Sequence, residues 1–306
     1  MKEKIIERIN KMSSSFIFHG PKGCGKKHLA FEIAKTFLCS SDKKPCGTCD
    51  ECRKVDELNH VNIIFVYPHI DPEDKKSKGM TIAVDDVRKQ IIDKLVFTPG
   101  ENGKRFIIID QAHRLNKESA NALLKSLEEP PANTIFFLLT HNLHNFLPTI
   151  ISRCQIIGVP PLKRSELAEI VKIPSNHFLI DYAGGSATAL EFYLKNEDTI
   201  KELIEFVATP KRPYNEIKAL VEQLTDMSTG DEEEQMAKAE EFENLEYLMS
   251  LIQTALLKSE NFPLINTKAM ELNSIFKKIY NNTKSSTVFE NVLLELSRIN
   301  VGGQNV

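Results

Sequence analysis

The sequence predicts an α/β fold in which helices cover both faces of a parallel sheet, followed by a region made only of helices. In the first half of the chain, short and nearly all-apolar runs alternate with segments of helical periodicity. That alternation is typical of parallel strands buried on both faces. After Pro160 and Pro161, only helical periodicity remains. The chain is long enough for two or three domains of ordinary size.

The predicted elements follow one another in a regular order. The predicted strands are residues 16–18, 63–66, 106–109 and 135–139, and the helices between them lie around residues 29–38, 84–95 and 119–127. Three short helices are predicted at 166–171, 178–183 and 188–194, with a glycine turn at 184–185. Apolar stripes at 200–207, 245–256 and 289–296 predict packed helices. The acidic residues 231–234 predict a solvated connection at a helix start.

Composition excludes several classes of protein. The chain has 306 residues and a net charge of −3, which argues against a protein that coats nucleic acid by itself. Residues 1–10 are charged throughout, so no signal peptide is expected. The sequence has no run of about eighteen apolar residues, the length that would predict a membrane span. We therefore expect a cytoplasmic protein.

A glycine-rich loop follows the first predicted strand and leads into a helix. Its sequence, GPKGCGK, matches the phosphate-binding pattern in which backbone N–H groups and a lysine contact phosphates. The candidate phosphate-binding residues are Gly20, Gly23, Gly25 and Lys26. The next residue is normally a Ser or Thr that holds Mg²⁺, but here it is Lys27. The loop is therefore predicted to be degenerate, and the alternative is a glycine turn with no phosphate role.

A second nucleotide signature is similarly incomplete. The predicted strand 106–109 ends at Asp110, where nucleotide-driven motors place an acid that holds Mg²⁺. Gln111 occupies the next position, and an amide cannot act as a carboxylate base. Asp110 could instead be a structural acid at the strand end. Lys27 and Gln111 together predict that ATP hydrolysis has been lost at two independent points.

Four of the six cysteines form a cluster with metal-ligand spacing. Cys39, Cys46, Cys49 and Cys52 follow the pattern C-x6-C-x2-C-x2-C. In a reducing compartment such a cluster indicates a metal site rather than disulfides, and four thiolates can close a tetrahedral structural zinc site. Iron–sulfur binding and unligated thiols are the alternatives.

Four further segments carry a family resemblance. They are IAVDDVR at 82–88, ANALLKSLEEPP at 120–131, FFLLT at 136–140 and LPTIISRC at 147–154. With the cysteine insert, they closely resemble the clamp-loader branch of the AAA+ ATPases over about residues 1–195. Within that branch, the damaged ATP site resembles the delta-prime subunits of bacterial DNA polymerase III clamp loaders.

The resemblance implies a three-part organisation. Residues 1–160 would be an AAA+ nucleotide-binding-like domain with a zinc module at 39–52. Residues 161–196 would be a helical lid, and residues 197–306 a helical collar for oligomerisation.

The resemblance also assigns roles to two residues. Motor subunits carry a lid arginine in a motif that corresponds to GSATAL at 185–190, which places Thr188 at the arginine's position. The SRC motif at 152–154 is intact, and in the family its arginine reaches the neighbouring subunit's ATP. That role falls on Arg153, for which the alternative is a surface arginine with an ion-pair partner.

The implied function is a stator that helps to load a sliding clamp onto primed DNA without hydrolysing ATP. Its partners would be gamma/tau and delta subunits, the clamp and primer-template DNA, with no membrane, and polymerase activity would belong to the holoenzyme. One alternative is an ATP-hydrolysing motor of the gamma/tau type, and weak ATP binding stays open. Another is a stand-alone zinc-stabilised DNA-binding protein, for which Lys75, Lys76 and Lys78 are the support.

Overall fold

The computed structural model divides the chain into two compact units, Met1–Pro161 and Leu162–Val306. It describes residues 1–10, 14–69, 80–96, 103–208, 213–228, 234–258 and 285–299. Lys75, Lys76, Lys78 and most of the acidic segment 231–234 lie outside these ranges. Among the described helices, none combines the length and apolarity that a membrane crossing requires.

The first unit is built on a five-stranded parallel sheet with the order β2-β3-β4-β1-β5. The strands are β1 (Ser15–His19), β2 (Ile63–Val66), β3 (Arg105–Ile109), β4 (Thr134–Thr140) and β5 (Gln155–Gly158). Every residue of β3 and β4 is buried. The four predicted strands are confirmed, and β5 was not predicted. Three of its four residues are exposed, so it lacks the apolar run that marks a buried strand.

Alternate residues of each central strand enter opposite cores. In β1, Phe16 and Phe18 pack in one core, together with apolar residues of the N-terminal helix and of the helix that follows the glycine-rich loop. Ile17 packs in the other core, beside Phe136 and Leu138 of β4. This division follows from the two-residue side-chain period of a strand. The sheet is therefore the middle layer of three.

In the described part of the first unit, six helices accompany the sheet, besides two short 3₁₀ turns at Ala112–Arg114 and Leu143–Asn145. They are α1 (Lys2–Asn10), α2 (Lys26–Leu38), α3 (Asp50–Asp56), α4 (Val84–Asp86, then a π-helical stretch Val87–Ile92, then Asp93–Leu95), α5 (Lys117–Glu128) and α6 (Pro148–Ile151). The three predicted helices correspond to α2, α4 and α5. Asn116 caps α5 by accepting a 2.7 Å hydrogen bond from the Ser119 N–H, which supplies an acceptor that the helix start otherwise lacks.

The described part of the second unit is helical. Its helices are α7 (Arg164–Val171), α8 (Ala187–Lys195), α9 (Glu197–Ala208), α10 (Tyr214–Ser228), α11 (Glu234–Lys258) and α12 (Ser285–Ile299). The helix predicted at 178–183 is instead a 3₁₀ turn, Phe178–Asp181. Gly184 and Gly185 have positive φ angles of 58° and 81°, which ends the helical segment after little more than one turn, and segments this short are often 3₁₀. One core joins Leu190 of the predicted lid to Leu203, Leu248 and Phe289 of the predicted collar.

Candidate nucleotide site, arginine and cysteine cluster

The glycine-rich loop connects β1 to α2 at the carboxyl end of the sheet. A Cβ atom at Gly20 would lie 2.1 Å from the Val159 carbonyl oxygen, so only glycine fits there. Gly25 has a φ of 88° and precedes the first residue of α2, a backbone conformation that favours glycine. The loop therefore has the strand–loop–helix geometry that the sequence predicts.

The loop lysine is engaged by the loop itself. Lys26 Nζ donates hydrogen bonds of 2.9 Å to the Gly20 carbonyl and 2.5 Å to the Pro21 carbonyl. Burial lowers the pKa of Lys26, although the nearby Cys24 and Asp110 oppose that change. A phosphate would have to compete with these two carbonyls for the ammonium group.

Lys27 occupies the position where a metal-binding hydroxyl is expected, and its side chain contacts an aromatic ring. Its Nζ lies 4.6 Å from the centre of the Phe65 ring on β2. Such a cation–π contact stabilises an exposed lysine by about 0.5–1 kcal/mol. An ammonium group has no lone pair with which to bind Mg²⁺.

Asp110 and Gln111 lie directly after β3 and have local partners. Asp110 Oδ1 accepts a 2.9 Å hydrogen bond from the Gln111 N–H. Burial raises the pKa of Asp110, opposed by that hydrogen bond and by the charges of Lys27 and Lys26. Gln111 Oε1 accepts a 2.8 Å hydrogen bond from Arg114 Nε. At Gln111, where the family resemblance expects a carboxylate, the chain thus has an amide that contacts an arginine.

Thr188 lies in the second unit and takes part in a chain of hydrogen bonds between α8 and α11. The Tyr247 hydroxyl donates to Thr188 Oγ1 at 2.9 Å. The buried Tyr193 hydroxyl donates to the Tyr247 carbonyl at 2.7 Å. Burial raises the pKa of Tyr193, with a smaller contribution from Tyr247. Sequence analysis missed Tyr247 because it lies on the long helix α11, where periodicity says nothing about a hydroxyl partner.

Arg153 follows α6 and is paired within its own unit. Its Nε donates to Glu128 Oε1 at 2.6 Å, and its Nη2 contacts the same oxygen. Its Nη1 donates to the Thr149 carbonyl at 2.8 Å and to Ser152 Oγ at 3.1 Å. The side chain is 31 % exposed, so solvent or a partner protein can still reach it. Glu128 is a further residue that the sequence analysis missed.

The four clustered cysteines converge on one point. All four Sγ atoms lie within 4.8 Å of one another. The Cys39–Cys49 and Cys46–Cys52 Sγ pairs are both 3.9 Å apart. A tetrahedron with zinc–sulfur distances of about 2.3 Å has sulfur–sulfur edges of about 3.8 Å. The cluster can therefore hold a metal ion, and its size fits tetrahedral zinc.

Backbone N–H groups prepare the sulfurs to act as ligands. The Cys46, Cys49 and Cys52 amides donate to the sulfurs of Cys39, Cys46 and Cys49 at 3.4, 3.3 and 3.5 Å. Hydrogen bonds from the backbone of Cys52 and Ser40 lower the pKa of Cys49 to about 5. Burial raises the pKa of Cys52 to about 12.

The cluster is tied to the helix that follows the phosphate loop. The Cys39 N–H donates to the Lys35 carbonyl at the end of α2 at 2.9 Å. The nearly buried Lys35 ammonium pairs with Asp56 at 2.5 Å and with Glu32 at 3.1 Å. Burial alone would lower the pKa of Lys35, but these hydrogen bonds raise it overall. The cluster is therefore held against α2 by an ion pair as well as by the chain.

The parallel sheet, the glycine-rich loop and the acid after β3 give the first unit an α/β fold of the AAA+ type. The sequence model of one family, described as DNA polymerase III, delta subunit, matches residues 3–163. The chain belongs to that family.

The known relatives include both delta' and tau subunits of DNA polymerase III. DNA polymerase III subunit delta' of Bacillus subtilis is 32 % identical over 155 residues, which are 50 % of this chain and 44 % of the relative. Subunit delta' of Pseudomonas aeruginosa is 34 % identical over 46 % of this chain and 41 % of the relative. Subunit tau of B. subtilis is 37 % identical over 47 % of this chain and 24 % of the relative. These matches cover about half of the chain and less than half of each relative.

A solved structure resembles both units. A DNA polymerase III, gamma subunit-related protein from Thermotoga maritima matches 97 % of this chain and 98 % of its own length, with a TM-score of 0.50 and 17 % identity. At that identity the match supports the fold alone.

Proposed function

We propose that the chain is a delta-prime-type stator of a DNA polymerase III clamp loader, with no ATP hydrolysis of its own. It would complete the loader with gamma/tau-type and delta subunits, and would help to place a sliding clamp on primer-template DNA. Such a subunit would work in the cytoplasm. Polymerase activity would belong to the larger holoenzyme.

The observation that carries the proposal is that the three altered nucleotide positions have other partners. Lys27 lies on Phe65, Gln111 accepts from Arg114, and Thr188 accepts from Tyr247. The hydroxyl, the carboxylate and the arginine that would act on a nucleotide are each missing. Arg153 of the SRC motif is kept, and we propose that it serves as an arginine finger for a neighbouring subunit's ATP.

We further propose that Cys39, Cys46, Cys49 and Cys52 hold one structural zinc ion. Four cysteine ligands leave no open position for water or substrate, so the metal would stabilise the module and take no part in catalysis. Gly20, Gly23, Gly25 and Lys26 would then be a vestigial phosphate site with weak or absent ATP binding.

The second candidate function is an ATP-hydrolysing motor of the gamma/tau type. The surviving loop glycines and Lys26 favour it, as does the similarity to tau subunits. A motor would need another route to Mg²⁺, because Lys27 cannot bind a metal. This difference separates the two candidates experimentally.

The test of the stator proposal is Arg153→Ala in a loader reconstituted with its partner subunits. An arginine finger contributes on the order of 10³–10⁵ in rate at a dependent site. We expect the variant to assemble normally and to lower clamp- and DNA-stimulated ATP turnover. The total falls less than the single-site rate, since only one site borrows this residue. Arg153→Lys should rescue poorly because lysine lacks the bidentate fork.

Assembly, measured by gel filtration, is the control for folding. If Arg153→Ala assembles and supports normal ATP turnover and clamp loading, Arg153 is an ordinary surface residue and the stator mechanism is wrong.

A further inference from the structure

Arg153 is restrained by this chain before any partner is present. A guanidinium group has five N–H donors in a fixed fork. Nε and Nη2 both contact Glu128 Oε1, and Nη1 donates to the Thr149 carbonyl and Ser152 Oγ. A bidentate grip on phosphate requires two parallel N–H groups. The edge formed by Nε and Nη2 is therefore already used by Glu128.

Glu128 is held in place by its helix. It is the last residue of the twelve-residue helix α5, whose residues Leu123 and Leu127 are buried in the first unit's core. A carboxylate at a helix C-terminus interacts unfavourably with the helix dipole, and a nearby cation offsets that cost. The ion pair with Arg153 thus offsets the unfavourable interaction of Glu128 with the helix dipole. Because Glu128 belongs to the helix, it does not easily follow Arg153 when the arginine moves.

A neighbour's nucleotide would compete with this carboxylate. A phosphate close to Glu128 would be repelled by it, while the same phosphate would attract Arg153. Arg153 can make a bidentate contact through its Nε–Nη2 edge only after it leaves Glu128.

We propose that Glu128 is a positioning residue that holds Arg153 on this subunit until a neighbouring nucleoside triphosphate takes the arginine over. This inference rests on the proposed stator function. The pair sets how much nucleotide binding energy is needed to engage the arginine. It acts as a threshold for the neighbour's ATP site.

The first arm of the test uses the isolated full-length protein. The exchange rate of the Arg153 Nε–H proton with water is measured by NMR, with the signal assigned by its loss in Arg153→Lys. Glu128→Gln keeps the side-chain shape and should raise the exchange rate severalfold. Glu129→Gln removes the same charge one residue further on and should leave the rate unchanged, since no contact joins Glu129 to Arg153 in the described part of the chain.

The second arm uses the assembled loader. Exposed ion pairs typically stabilise by amounts that correspond to about two- to fivefold in an equilibrium constant. Glu128→Gln should lower the ATP concentration for half-maximal turnover by about that factor, with little change in kcat. In the Arg153→Ala background the same substitution should have no effect.

The outcomes separate this inference from the proposal beneath it. If Arg153→Ala leaves turnover at the wild-type level, the stator function fails, and the inference fails with it. If Arg153→Ala lowers turnover but Glu128→Gln changes neither proton exchange nor the half-maximal concentration, Glu128 does not hold the arginine. If Glu128→Gln lowers kcat as Arg153→Ala does, Glu128 presents the arginine to the neighbour, and the holding role is overturned.

Discussion

At the residue scale, single side chains decide whether the phosphate loop can support chemistry. The backbone of the loop is formed, with Gly20 in a space that excludes a Cβ atom. The ammonium of Lys26 already has two carbonyl partners. Lys27 has an aromatic partner. The loop therefore keeps the shape of a phosphate site while its charged groups are directed elsewhere.

The prediction at this scale is that Lys27→Ser strengthens Mg·ATP binding without restoring hydrolysis. Serine removes a positive charge next to the Mg²⁺ position and supplies the missing hydroxyl. Gln111 and Thr188 remain unchanged, and each missing catalytic group costs on the order of 10²–10³ in rate. Calorimetry and steady-state ATP turnover on wild type and variant provide the measurement.

Lys26→Ala serves as the control for binding at this loop. Wild-type turnover of about one per second or faster, abolished by Lys26→Ala, would show that the isolated chain is a motor.

At the element scale, the cysteine module separates α2 from β2. It occupies the connection between α2 and β2 and contains the short helix α3. Cys49 Sγ caps this helix by accepting from the Cys52 N–H. The helix carries Cys52, and Cys49 caps its first turn. A metal bound to both sulfurs would therefore stabilise the helix and its cap.

We expect purified protein to contain about one zinc per chain, and Cys49→Ser to lose it. A serine hydroxyl does not replace a thiolate whose pKa is lowered to about 5. The loss of stability should be greatest at residues 39–56, because Val55 is the one residue of this segment that belongs to a core of the sheet unit. Elemental analysis without chelators and hydrogen exchange would measure both effects.

Cys154→Ser is the matched control. Cys154 lies outside the cluster, and burial raises its pKa to about 12, so zinc should be retained. Finding iron, or no metal at all in wild type, would contradict the zinc assignment.

At the scale of the whole molecule, the two units have separate apolar cores. Among the described residues, the sheet unit has one core on each face, and the helices of the second unit share one core. Cores that share no residues can lose stability independently. We therefore propose that the two compact units, Met1–Pro161 and Leu162–Val306, are also separate cooperative units.

We expect Leu203→Ala to destabilise the second unit alone. Leu203 is fully buried, and such truncations cost about 2–5 kcal/mol. Hydrogen exchange in α9 and α11 should become faster, while the strands β3 and β4 keep their protection. Leu123→Ala, at an equally buried position in the first unit, should give the reverse pattern. A single unfolding transition that both variants shift equally would contradict independent units.

The local sequence predicts most of the sheet unit and the groups that its nucleotide site lacks. Buried parallel strands are nearly all apolar, so four of the five strands are recognisable from composition and period alone. The edge strand β5 and the short helix α3 were missed because neither carries a long apolar pattern. Helix α10 was missed although its apolar residues follow helical spacing.

The sequence by itself determined the α/β class, the glycine-rich loop, the cysteine cluster and the residue types at the positions where the family resemblance expects catalytic groups. These depend on residue type and short spacing, which the chain displays directly. Only the tertiary structure decided that Lys27 contacts Phe65, that Thr188 bonds to Tyr247 and that Arg153 is held by Glu128. Such partners are far apart in the chain, and only the packing of separate elements brings them together. Local periodicity encodes which face of an element is buried, but not which polar group lies opposite it.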